Sequence, residues 1–327
     1  VVYNSSSWLD YNKELFSWLC VPFEVRRKEC EVNMRKANQT KAWLYLLPAI
    51  LLLLFFTVIP FVKIISFSFM EGYSISTNEY NGIGFSNFVE LFKNTDFLEA
   101  LGTSLIAAVI SVPISLFIAT GIAIALNNIK VLNRLFATVF FIPFVTSALI
   151  IGYVTMIIYV NNQISVSLFN WFIGLFGADP INFLTDKYFY KLIIYILYII
   201  WRLLPFEIII LISALHSIKK EYYVAAKIDG CSNVKQFNKI TIPMLRPMYA
   251  FLAFSGAITV LKDFDNAIGI FGGESLTEAN LTTLTGFMYS GIGSTTGVSA
   301  VVALIISIIF IVIFTLIVVI GNRKKDR

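Results

Sequence analysis

Charged side chains are scarce inside the apolar stretches of this 327-residue chain, so the few that occur there mark places where chemistry could be done. Arg202 and Glu207 stand within "WRLLPFE". In hydrocarbon such a charge costs about 2.5–3.5 kcal/mol on insertion scales, so it must face a cavity or a partner. Arginine offers a planar fork of donors suited to hydroxyls or to a carboxylate. Two readings fit: Arg202 faces a cavity, or it makes a structural ion pair, within the chain or at a subunit contact. "TVLKDFDNAIGIFGG" holds Lys262, Asp263, Asp265 and Asn266. Asp263 can accept two hydroxyls; the alternative is that this run lies at an outer mouth and is merely solvated. His216 is the one histidine and is expected to be a surface or packing residue. Cys20, Cys30 and Cys231 show no metal-ligand spacing and read as structurally ordinary thiols. No catalytic residue and no metal site is expected. The chain has no GxxxxGK[ST], so it cannot cradle nucleotide phosphates by itself.

The elements that must position these residues follow from composition. Hydrophobic residues make up 57% of the chain and charged residues 14%, where soluble domains carry roughly 25%. The apolar content gathers in six blocks, about Ala42–Phe69, Phe97–Leu126, Leu135–Val160, Tyr188–Leu215, Met248–Phe271 and Thr295–Ile320. Each is long enough for a helix to cross a bilayer, at about 20 residues per crossing. A β-barrel would show short alternating segments instead. The expected fold class is an all-α membrane protein with six transmembrane helices. Prolines 48, 60, 113, 143 and 205 lie in the first four blocks, where neighbouring helices can make good the lost backbone bonds and kinks permit rigid-body rocking.

Lysine and arginine set the orientation. They precede the first block (Lys13, Arg26, Arg27, Lys28, Arg35, Lys36, Lys41), recur at Lys130 and Arg134, crowd the fourth connection (Lys219, Lys220, Lys227, Lys235, Lys239, Arg246) and close the tail. The first alternate loop, Glu71–Asp96, has only Lys93. The positive-inside rule then puts both termini and the fourth connection in the cytoplasm. The same distribution argues against nucleic acid as the partner of the net charge of +5, because the positive residues flank the spans. Residues 1–40 differ in kind. Trp8, Tyr11, Leu15 and Trp18 fall at helical spacing and suit a cytoplasmic or interfacial amphipathic segment. The division expected is 1–40 and a six-helix domain over 41–327. The sequence begins with Val, and "MRKANQTKAWLYLLPAI" from Met34 makes a natural start. Residues 1–33 are therefore expected to be dispensable, and loss of transport on starting at Met34 would reject this.

The fourth connection, 213–247, is long for a membrane hairpin. "IKKEYYVAAKI" reads as a helix with a small face at Ala225 and Ala226; Asp229-Gly230 ends it, since glycine accepts positive φ. Ser232 or Asn233 caps a second short helix, "NVKQFNKI". Pro243 and Pro247 are expected to bar continuation and re-aim the chain into the fifth span. The result is a compact knob, flanked by lysines, with a small-residue face suited to a groove on another protein.

Ala225-Ala226, Asp229-Gly230 and, nine residues on, Ile240-Thr241-Ile242-Pro243 resemble the EAA loop of the permease subunits of binding-protein-dependent ABC importers. "IIWRLLPFEIIILISALHSI" and "GIGFSNFVELFKNTDFLEALGTS" are similar to the carbohydrate-uptake branch, and the resemblance covers about Ala42 to Ile320. Three positions depart: Val224 stands where the family has its loop Glu, Cys231 where it has Ala, and Lys219 where it has Pro. The outer "FGGESLTEAN" keeps part of the family's Gly-Gly-Gly-Pro. The resemblance implies the ABC importer type I permease fold in a bacterial cytoplasmic membrane. It implies a second homologous permease (a heterodimer), two cytoplasmic ATPase subunits that bind the ATP, an extracellular solute-binding protein and the surrounding lipid. Ala225, Ala226, Asp229, Gly230, Ile240 and Pro243 would form the ATPase-coupling loop, and Arg202, Leu203, Phe206, Gly256, Thr259, Val260 and Asp263 would face the path. Rival readings are a permease for a peptide, amine or phosphate ester, and a secondary transporter, whose inverted halves are not evident. No channel filter and no cluster of His, Cys or carboxylates for a membrane enzyme is present in the sequence.

Overall fold

The computed structural model describes residues 39–128, 146–159, 167–177, 179, 188–271, 281–292 and 295–323. The chain divides into two units, Val1–Lys63 and Ile64–Arg327. In the first, helix α1 (Gln39–Leu53) passes through a π-helical turn, Leu54–Val58, into α2 (Ile59–Phe69), whose residues from Ile64 on belong to the second. The expectations for residues 1–33, for Cys20 and Cys30, and for Pro143 lie outside the described residues.

The second unit is built around two long helices, α4 (Thr95–Asn128) and α7 (Tyr188–Ser217). Their close packing has a sequence cause. Ala107, Ser111, Ser115, Ala119 and Ala123 recur every four residues along α4, and each is 0% exposed. Residues four apart share a helix face, and a ridge of small side chains lets two membrane helices approach closely. Against this seam lie two apolar clusters. One joins Ala107, Ala108 and Val112 to Tyr195, Ile199 and Leu203 of α7. The other joins Ala119, Ala123 and Leu126 to Ile208, Leu211 and Leu215. Helix α10 (Ile242–Leu261) completes both, with Val260 in the first and Leu245 and Leu252 in the second.

Five helices among the described residues are long and apolar enough to cross a membrane. They fall on the first, second, fourth, fifth and sixth apolar blocks. The start of the third lies outside the described residues, and its described part is the 12-residue α5 (Ala148–Tyr159). The all-α expectation needs one small amendment. Strands β1 (Met70–Glu71) and β2 (Gly82–Ile83) pair antiparallel, Met70 with Ile83. This hairpin is pinned to α3 (Ser86–Lys93) by Asn87, which is buried and donates to the carbonyls of Ser68 and Met70. It is pinned to the start of α13 (Thr296–Arg323) by Gly297 N–H on Tyr73 O at 3.1 Å and Ile75 N–H on Thr296 Oγ1 at 3.2 Å.

The fifth block departs from expectation at both ends. Its helix begins earlier, running unbroken from Asn233 to Leu261 through α9 (Asn233–Gln236), a π turn (Phe237–Thr241) and α10. Pro243 and Pro247 do not bar continuation. Pro243 is the second residue of α10 and follows directly on the π turn. The π turn before it widens the backbone at the carbonyls its ring would otherwise meet. At the far end the helix stops at Leu261 and restarts as α11 (Asp265–Phe271). Two carbonyls that a continuing helix would use are taken by side chains: Thr283 Oγ1 donates to Asp263 O and Thr285 Oγ1 to Leu261 O, 2.9 and 2.8 Å.

Candidate functional site

The knob is α8 (Lys220–Ile228), a bend, and α9. Glu221 in the first turn and Lys227 in the last complement the helix dipole. The bend is a Schellman motif: Cys231 N–H reaches back to Ala226 O at 2.8 Å and Gly230 N–H to Lys227 O at 3.0 Å. It requires a left-handed residue, and Gly230 sits at φ +73°. Ser232 then caps α9, accepting from Lys235 N–H, and Gln236 Nε2 donates to Cys231 O at 2.8 Å. Of the sequence-predicted loop residues, Ala225, Ala226, Asp229, Ile240 and Pro243 line one open cleft of about 370 Å³ between α8 and the start of α10. Gly230 makes the turn that closes it. Around the cleft Val224 and Ile228 are exposed, the latter 81%, and so are Lys219, Lys220, Lys227, Lys235 and Lys239. The surface is thus a small apolar face in a basic rim, able to seat in a protein groove of matching charge.

The seven predicted path residues do not share one surface. Leu203 and Val260 are buried in the same apolar cluster. Gly256 lies where a Cβ would come 3.3 Å from a Val112 methyl and 3.8 Å from Leu203, so it serves the close approach of α10 to α4 and α7. Arg202 and Phe206 are half-buried, and Thr259 is exposed with its hydroxyl on Ser255 O. Arg202 Nη1 donates to Tyr198 Oη at 3.4 Å. Glu207 is buried against α4 and takes a hydrogen bond from Ser115 at 2.9 Å; its other oxygen has no partner among the described residues. Glu207 turns into the small-residue seam, where Ser115 is its donor among the described residues.

Asp263 is not solvated. It is 7% exposed and accepts from Tyr195 Oη at 2.8 Å. Lys262 and Asp265 beside it are exposed, so the run divides between solvent and core. Asp263 belongs to a polar lattice at one end of the bundle, with Tyr188 Oη 2.7 Å from Thr103 Oγ1 and Leu284 N–H on Ser104 Oγ at 2.8 Å. Tyr195→Phe removes one donor from a buried carboxylate. It is expected to destabilise the chain by about 1–3 kcal/mol, read as a lower thermal midpoint in detergent; an unchanged midpoint would contradict the tie. His216 is exposed at the end of α7, and Trp171 and Phe172 are exposed on α6 (Leu168–Gly174), as their types suggest. Sequence reasoning missed Ser115 and Tyr195. The signal for Ser115 was its place in the four-residue repeat; for Tyr195, a lone hydroxyl gave none.

A bundle of long apolar helices interrupted by one bent basic knob defines a polytopic membrane protein with the fold of ABC permeases. The chain belongs to the family described as binding-protein-dependent transport system inner membrane component, whose model matches residues 117–327. Members are the transport subunits of ABC systems. The lactose transport system permease protein LacF of Rhizobium radiobacter is 30% identical over 264 residues, covering 79% of this chain and 85% of the relative. The arabinooligosaccharides transport system permease protein AraP of Bacillus subtilis is 27% identical, covering 77% and 79%. A chain of a bacterial ABC transporter involved in the import of the acidic polysaccharide alginate superposes with a TM-score of 0.73 at 21% identity, over 89% of this chain and 99% of that one.

Proposed function

We propose that this chain is one permease subunit of an ATP-driven importer and supplies the path for a sugar, an oligosaccharide or sugar derivative, delivered by an extracellular binding protein. The observation that carries this is the knob: five of the family-loop positions line one cleft, on a bend that only a left-handed glycine makes. The sugar-transporting names of the relatives support the solute class. In this reading the third apolar block completes six spans over 41–327, with residues 1–40 a separate segment. Both termini and the loop 213–247 lie on the cytoplasmic side of a bacterial cell membrane. A second, homologous permease makes a heterodimer. Two ATPase subunits bind the nucleotide, because this chain carries no phosphate-cradling motif. Ala225, Ala226, Asp229, Gly230, Ile240 and Pro243 meet an ATPase. Arg202, Leu203, Phe206, Gly256, Thr259, Val260 and Asp263 come to the path when the bundle opens, and the core positions of Leu203 and Val260 belong to the closed form.

Mechanically, nucleotide closure of the ATPases biases the knobs, and the loaded binding protein biases the opposite end; both act on one two-state bundle. The test is uptake into vesicles bearing the whole assembly, offered labelled neutral and acidic oligosaccharides, a dipeptide and a polyamine. Sugar accumulation that needs both internal ATP and the binding protein is expected. Accumulation of the peptide or amine instead would overturn the sugar assignment.

A further inference from the structure

Along α8, Tyr223 and Ala226 are half-buried and every other residue is exposed, so α8 has two points of purchase on its own chain. Ala226 is too small to hold anything. Tyr223 packs, as do Ile240 and Tyr249, against the apolar cluster that joins α4, α7 and α10 and includes Ile208, Leu211, Leu245 and Leu252. Its hydroxyl lies 2.9 Å from Thr241 Oγ1, 18 residues on. Thr241 is 5% exposed and is the last residue of the π turn. A π turn holds one residue more than an α turn, and such turns recur at functional sites. An axial or rotational displacement can be taken up there by rewinding a single turn, whereas the α-helices on either side are stiff. Helix α8 is thus tied by hydrogen bond to the one turn of the fifth span's helix that is wound differently.

We propose that Tyr223 is a positioning residue for transport: its bond to Thr241 carries displacement of the knob into the fifth span at the π turn. This rests on the reading that an ATPase moves the knob. Without the hydroxyl pair, α8 keeps its ring contact and its docking face, but pivots on the apolar cluster instead of turning the helix. Docking and coupling then separate, which a purely structural role would not produce.

The test uses the complete transporter in proteoliposomes and reads two quantities: the ATPase retained on purification, and solute imported per ATP hydrolysed. Tyr223→Phe and Thr241→Val are expected to retain the ATPase and to hydrolyse ATP. Their import per ATP should fall about threefold or more, the fold-change that loss of one part-buried hydrogen bond produces. Thr241→Ser keeps the hydroxyl and is expected to restore the wild-type ratio. A Tyr223→Phe variant that couples as well as wild type overturns this inference alone, as does a Thr241→Ser variant that falls as far as Thr241→Val. A wild-type chain that captures no ATPase overturns the underlying reading, and the inference with it.

Discussion

Replacing Gly230 by proline is expected to abolish retention of the ATPase while leaving the chain inserted in the membrane at the wild-type level. Gly230 sits at φ +73°, and proline is locked near −65°. The substitution also deletes the N–H that bonds Lys227 O. Both bonds of the Schellman bend depend on this geometry, so α8 and α9 lose their mutual orientation and the cleft between α8 and α10 disperses. A loss of about 3 kcal/mol or more in a knob of this size leaves it mostly unformed. The spans are untouched, because their apolar length drives insertion. Gly230→Ala separates the backbone effect from a contact effect. A Cβ there meets nothing within 4 Å, so the cost is the left-handed conformation alone, about 1–2 kcal/mol, and partial retention is expected. Co-purification of the ATPase at wild-type levels with Gly230→Pro would remove the knob from the coupling account.

Gly152→Leu is expected to prevent α5 from docking on α11 and to yield a chain that inserts but fails to reach its native packing. A Cβ on Gly152 would lie 2.6 Å from Gly269 Cα, 2.8 Å from its carbonyl carbon and 3.1 Å from Ile270 N. These are backbone atoms of α11 and cannot rotate out of the way, so the helices must part. Even Gly152→Ala should cost about 1–3 kcal/mol through overpacking, a fall of several degrees in the thermal midpoint for a chain of this size. Leucine adds three further carbons at the same point. The check is the thermal midpoint and size-exclusion profile in detergent, and wild-type values for Gly152→Leu would exclude this helix crossing.

Some of this could be read directly from residues. Apolar block length gave the described long helices, because in lipid a backbone must close its own hydrogen bonds and a helix does so within one segment. Asp229-Gly230 gave the bend and Ser232 the cap, since both are local rules of backbone geometry. The prolines misled. Pro243 and Pro247 signal a break in isolation, but a π turn upstream makes room for the first, and no sequence pattern announces a π turn. In the fifth block, "LKDFD" already carried the polar run at which the helix stops; overall apolarity concealed it. The path residues were the least legible. In this structure Leu203, Gly256 and Val260 are occupied in holding helices together, which no residue type announces. Glu207 was visible as a charge, but its partner was not. Ser115 is 92 residues away, and only the packing of α4 on α7 brings it there.

The most direct test of the central claim is accumulation of labelled oligosaccharide by proteoliposomes, with the chain alone and with the partner permease, ATPases and binding protein added. With the chain alone, no uphill transport is expected under a proton or sodium gradient, and accumulation should begin only when the other subunits and internal ATP are present. Accumulation by the chain alone on an ion gradient would contradict it.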